Sequence, residues 1–206
     1  MRLLKKIKNE KGVSLLELLV AVTLFSVVII SSTQIFKMVV DGQRNAIGAQ
    51  NVQENIRYAM ERMSKEIRMA QIAYRGTQPA DRDCKQLFTS PDTATNKVYN
   101  LKSANAVDDT LYFKNKDNVC VAYFLENNRL KVKIIKAAGG ILIEDFIMPS
   151  NTITSNLKFY VADDLIGAYH SVQPYVTMTM DVKAVGLAMH EQKMKIQFTV
   201  SSRYYE

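Results

Sequence analysis

Residues 13–40 read VSLLELLVAVTLFSVVIISSTQIFKMVV, and within them the nineteen residues Leu18–Phe36 carry no charge. Wound as an α-helix at about 1.5 Å per residue, nineteen residues extend roughly 28 Å, close to the thickness of a bilayer core. Leu, Val and Ile dominate the run, and no proline interrupts it. Ser26, Ser31, Ser32, Thr33 and Gln34 dilute its far end. The preceding residues, MRLLKKIKNEKG, set Arg2, Lys5, Lys6, Lys8 and Lys11 against Glu10, a net +4 of the chain's formal +7. A basic flank before an apolar run predicts insertion with the N-terminus in the cytoplasm and the rest exported.

Three kinds of segment have this outline. A secretory signal peptide is cut after its apolar core at small residues. Here the core is long for one, and Ser31-Ser32-Thr33 makes a weak site. A plain signal anchor is the second kind. The third has to account for Glu17, a carboxylate at the edge of the apolar helix. A charge there costs on the order of 2.5–3.5 kcal/mol if it reaches the bilayer centre. A simple anchor has no use for it, whereas helix packing does if the acid meets a buried positive charge. Cleavage after Gly12 creates such a charge, a new α-amine at Val13, four residues before Glu17.

Residues 11–25, KGVSLLELLVAVTLF, resemble the type III signal of type IV prepilins and pseudopilins. That signal is a basic leader ending in Gly, a cut, a hydroxyl residue at the second mature position and Glu at the fifth. Gly12, Val13, Ser14 and Glu17 match it in register, with Val13 where the family usually has Phe. The resemblance implies that residues 1–12 are a cytoplasmic leader removed by a prepilin peptidase. It implies N-methylation at Val13 and a role for Glu17 in assembly. Gly12, lacking a side chain, lets a peptidase approach the backbone. The apolar helix, residues 13–40, would stay in the lipid bilayer until an inner-membrane assembly platform moves it into a filament of other pilin or pseudopilin subunits.

Helical periodicity continues beyond the apolar run, so residues 41–75 read as an amphipathic extension ending near Tyr74–Gly76. Val52, Ile56, Met60, Met63, Ile67 and Ala70 recur every three or four residues, a core-facing stripe. Glu54, Arg57, Glu61, Arg62, Lys65 and Arg68 fall mainly elsewhere and read as a solvated face or as contacts to neighbouring subunits. Gly42 and Gly48 mark either a bend or tolerated helix glycines. The stretch NVQENIRYAMERMSKEIRMAQ, residues 51–71, is similar to the PilW-like minor pilins and the J-type minor pseudopilins.

Residues 77–109, rich in Thr, Asp, Asn, Ser and Pro, read as a long loop with at most short strands. From Thr110 the period becomes two. Short Leu111–Phe113 is followed by Val119–Leu125, a turn at Glu126-Asn127-Asn128 and a return strand Arg129–Lys136. Gly139-Gly140 precedes Ile141–Ile147, and alternating strands follow around Leu157–Val161, Val176–Val182 and Met194–Val200. One apolar face per strand predicts a half-buried antiparallel sheet. The expected fold is therefore α+β and pilin-like: a long N-terminal helix, membrane-spanning in its first half, packed on an antiparallel sheet, with residues 76–206 as an extracytoplasmic β-rich head.

With that head outside the cytoplasm, Cys84 and Cys120 are expected to bridge, the alternative being two buried thiols. No enzymatic constellation is visible. His170 and His190 lack metal-ligand spacing, and no CxxC, Walker, GxSxG or HExxH pattern occurs, so no cofactor or metal is expected. Asp108-Asp109 and Asp163-Asp164 offer oxygens to calcium but read better as solvated turn acids. Composition leaves one binding alternative. Lys131, Lys133 and Lys136, with Tyr112 and Tyr123 near in sequence, would make a basic aromatic face for DNA, as in a competence pilus. A signal-anchored domain that is not a pilin is the other alternative.

Overall fold

The computed structural model describes residues 12–72, 84, 97–102, 107–136, 140–163, 165–166, 169–170, 172–185 and 193–203. The first element among the described residues is one 54-residue helix, α1 (Leu15–Arg68), unbroken through Gly42 and Gly48. Its contacts divide between two units that meet at Arg44 and Asn45.

In the second unit, the stripe of α1 is buried as its spacing predicts. Val52, Ile56, Met63 and Ile67 enter the core, Ala70 follows just past the helix end, and Met60 packs at the margin. Ala59, absent from the sequence stripe, is also fully buried, because 3.6 residues per turn place position 59 beside 52, 56 and 63.

The helix ends earlier than expected, at Arg68 rather than near Tyr74–Gly76, which lie outside the described residues. Two i→i−3 bonds tighten its last turn, Met69 N to Glu66 O at 3.2 Å and Ala70 N to Ile67 O at 3.1 Å. Distant groups then take the terminal carbonyls. Tyr99 Oη donates to Ile67 O at 2.8 Å, and Arg203 N donates to Arg68 O at 2.8 Å. Gln71 N bonds Lys114 O, so the chain leaves the helix directly onto a strand. These bonds satisfy the carbonyls that a helix end leaves without intrahelical donors.

Two main antiparallel sheets stand where one was expected. The first holds β1 (Tyr99–Leu101), β3 (Leu111–Lys114), β4 (Val119–Glu126), β5 (Arg129–Lys136) and β6 (Gly140–Phe146), in that spatial order. The second runs β11 (Lys193–Ser201), β10 (Tyr175–Ala184), β7 (Thr152–Ala162), β2 (Val107–Asp108). A short ribbon pairs β8 (Leu165–Ile166) with β9 (Tyr169–His170). Inner residues of both sheets join the helical stripe in one core that includes Leu111, Phe113, Tyr123, Phe159, Met178 and Met180. The α+β architecture is thus a long helix packed on antiparallel sheet, as the periodicities require.

Local chemistry sets the strand geometry. The β4–β5 turn has Asn127 and Asn128 at φ 51° and 57°, with Glu126 opposite Arg129. Positive φ at both central residues defines the two-residue hairpin turn that asparagine tolerates. Asn156, at φ 52°, lies in β7 where the register to β10 slips between Thr179 and Asp181, and its Nδ2 donates to Asp181 Oδ2 at 2.7 Å. Asp163, just past β7, accepts from Val98 N and Tyr99 N at 2.7 and 2.9 Å and so ties the second sheet to the start of β1.

Around β3 and the start of β4 the first sheet is covered on both faces. All of β3 is buried, with Leu111 and Phe113 in the main core. Tyr112 lies in a second cluster with Cys84, Cys120 and Ala122. Cys84 and Cys120 form a disulfide, Cα atoms 5.3 Å apart and 36 residues apart in sequence. That bridge is why the outer side of β3 and β4 departs from polar alternation.

Candidate functional site

Gly12, Val13 and Ser14 precede the helix, and Leu18 N donates to Ser14 O at 3.1 Å. Among the described residues, a Cβ built on Gly12 meets nothing within 4 Å, so their packing places no demand for glycine there. Glu17 is exposed in the first turn, where the helix dipole favours a negative charge. From Val13 to Val39 the large aliphatic and aromatic residues are exposed, including Leu15 at 81% and Phe36 at 70%. Among the described residues, α1 is the helix long and apolar enough to cross a membrane; its most apolar window has mean hydropathy 2.4 and none of it is buried. The hydroxyls that dilute this segment are internally satisfied. Thr23 bonds Val20 O, Ser26 Val22 O, Ser31 Val27 O, Ser32 Val28 O and Thr33 Ile29 O, each at 2.8–2.9 Å. They therefore add little desolvation cost on the surface of an apolar helix. A bare stripe of this length is stable only when lipid or other helices cover it.

Residues 7–33 match a family model described as the prokaryotic N-terminal methylation motif. No curated protein and no solved structure matches the chain. The matched segment contains Gly12, Val13, Ser14 and Glu17. Motif and long apolar N-terminal helix together are consistent with the type IV pilin and pseudopilin superfamily, without selecting a subfamily, and the helix is consistent with a single-pass anchor.

The proposed DNA face is overturned. Tyr112 and Tyr123 are buried, their rings facing opposite sides of the first sheet, so neither presents a stacking surface. Lys131 is only 9% exposed and is held by Glu126 at 2.6 Å and Glu144 at 2.7 Å, over Phe146. Lys133 lies 3.5 Å from the same Glu144, and only Lys136 of the three is exposed. The lysine hydrogen bonds hold the Glu144 carboxyl below its ordinary range. This is a neutralised cross-strand cluster rather than a basic patch.

The acidic pairs likewise serve the backbone. Asp108 Oδ1 accepts from Asp109 N, and Asp163 is buried against β1. Among the described residues no group of three or more His, Cys, Asp or Glu has metal-binding proximity. His190 and Asp164 lie outside the described residues.

One partly buried pair escaped the sequence reading. Tyr123 Oη donates to Glu66 Oε2 at 2.6 Å, joining β4 to α1, with Arg62 at 3.7 Å from the same carboxylate. Burial, then the adjacent Glu66 charge, pushes the Tyr123 hydroxyl well above its ordinary value. Burial also raises Tyr99. A raised folded-state value contributes stability that is complete below the unfolded tyrosine pKa of about 10 and is lost as pH rises beyond it. Alkaline titration of the wild type should show delayed tyrosinate absorbance appearing together with loss of β-sheet circular dichroism. Tyr123→Phe should move that loss to higher pH; an unchanged midpoint contradicts the assignment.

Proposed function

We propose that the chain is a structural subunit of a type IV pilus or type II secretion pseudopilus, with the soluble head carried outside the cytoplasm on α1. A prepilin peptidase cuts after Gly12, Val13 becomes the N-methylated terminus, and Glu17 neutralises the α-amine of an adjacent subunit as the helices bundle. Partners are other pilin or pseudopilin subunits, the inner-membrane assembly platform and, before assembly, the lipid bilayer. The similarity of residues 51–71 to minor pilins favours a priming position at or near the filament tip.

The observation that carries this reading is the methylation motif on an uncovered apolar helix, with Glu17 five residues after a glycine that no described residue packs against. An anchor alone accounts for the helix but not for Gly12 and Glu17. The test is Gly12→Leu in a host that has the peptidase. A branched side chain at that position blocks approach to the scissile bond, so the chain should keep its full leader mass. Normal trimming of Gly12→Leu contradicts the assignment.

A further inference from the structure

Three segments remote in sequence converge at the C-terminal end of α1 and enclose a cleft of about 800 Å³. The last two turns of the helix supply Glu61, Arg62, Lys65, Glu66 and Arg68. The turn between β3 and β4 supplies Lys116 and Asp117, and Arg203 comes from the chain just after β11. Backbone bonds hold these walls in place. Gln71 N donates to Lys114 O at 2.8 Å at the foot of the turn, and Arg203 N donates to Arg68 O at 2.8 Å. Asn115 Oδ1 braces the turn itself, accepting from Asp117 N at 2.9 Å and from Val119 N at 3.2 Å.

Two of the three acids in the lining are already engaged. Glu61 holds Arg57 at 2.8 Å, and Glu66 is taken by Tyr123 and Arg62, which leaves Asp117. The cations are not matched in the same way. Among the described residues, Lys65, Arg68, Lys116 and Arg203 stand in no ion pair, and all four are exposed. The bond from Arg203 N to Arg68 O sets two such arginines next to each other, and Lys65 lies one helical turn before Arg68. Like charges gathered in this way repel, and an anion that enters the cleft relieves the repulsion.

The rest of the lining selects the anion. No aromatic side chain lines the cleft, so nucleic-acid bases find no stacking surface, and Asp117 opposes a continuous run of phosphates. Guanidinium forks match separate carboxylates, and the exposed thioether of Met69 offers an apolar contact between them. We propose that this cleft binds an acidic peptide segment of a partner protein, with carboxylates at Arg68, Arg203 and Lys116 and an apolar side chain against Met69. The proposal goes beyond the filament reading and depends on neither leader removal nor assembly.

Fluorescence anisotropy on the detergent-solubilised full chain tests it, with a labelled peptide of sequence EDLEDL as the probe. The chain's formal charge of +7 draws any polyanion weakly, so site and bulk charge have to be separated. Arg68→Ala with Arg203→Ala should weaken binding roughly tenfold, as expected for two ion-pair contacts of about 0.5–1 kcal/mol each. Lys158→Ala with Lys195→Ala removes the same charge from the second sheet and should leave binding unchanged. The helix-end bonds use backbone atoms of Arg68 and Arg203, so circular dichroism of the first variant should match the wild type. The uncharged peptide QNLQNL should not bind, and oligothymidylate should compete poorly. Absence of EDLEDL binding, equal weakening by the two double variants, or tighter binding of oligothymidylate overturns the proposal.

Discussion

Replacing both Cys84 and Cys120 by alanine should lower the stability of the head by about 4 kcal/mol. The bridge closes a separation of 36 residues, and the chain-entropy model assigns a loop of that length about that much. Both cysteines are fully buried, and with Tyr112 and Ala122 they cover the outer face of β3 and β4. Loss of the bridge therefore loosens the cover of the first sheet as well as enlarging the unfolded ensemble. Denaturant unfolding of the detergent-solubilised full chain reads the effect. The reduced wild type should unfold at the midpoint of the double alanine variant, well below the oxidised wild type. Coincident oxidised and reduced curves contradict it.

Glu17→Ala should be trimmed normally yet lost from filaments. In the proposed reading the peptidase reads the leader and Gly12, which the substitution leaves intact. Assembly is different, because an α-amine drawn into a helix bundle without its carboxylate is an uncompensated buried charge. Removing one partner of a buried pair costs on the order of 3–5 kcal/mol, which converts to a hundredfold or greater loss of incorporation. Immunoblots of sheared filaments and of membranes, scored for cut and uncut chain, separate the two steps. Wild-type incorporation of Glu17→Ala removes the electrostatic role.

Local order was readable in the residues. The three-and-four stripe from Val52 to Ala70 located the core face of α1. Alternation located β4, β5, β10 and β11 to within about a residue or two, and the Asn-Asn turn joined the first pair. What the pattern did not contain was non-local. The split into two sheets depends on which edges pair, and alternation names a face but not a partner. The helix end at Arg68 is made by Tyr99 and Arg203, far along the chain. Lys131 read as solvent-facing because its neighbours alternate, yet Glu144 from the adjacent strand and Phe146 enclose it. For the candidate site the balance is reversed. Gly12, Val13 and Glu17 lie within six residues, so spacing alone displayed the motif, and the structure adds that no described residue packs against that glycine.

The most direct measurement is the mass of the N-terminal peptide of the chain extracted from membranes of a host that carries the peptidase. The account predicts a peptide beginning at Val13 and carrying one added methyl group. A peptide that begins at Met1 with MRLLKKIKNEKG intact contradicts it.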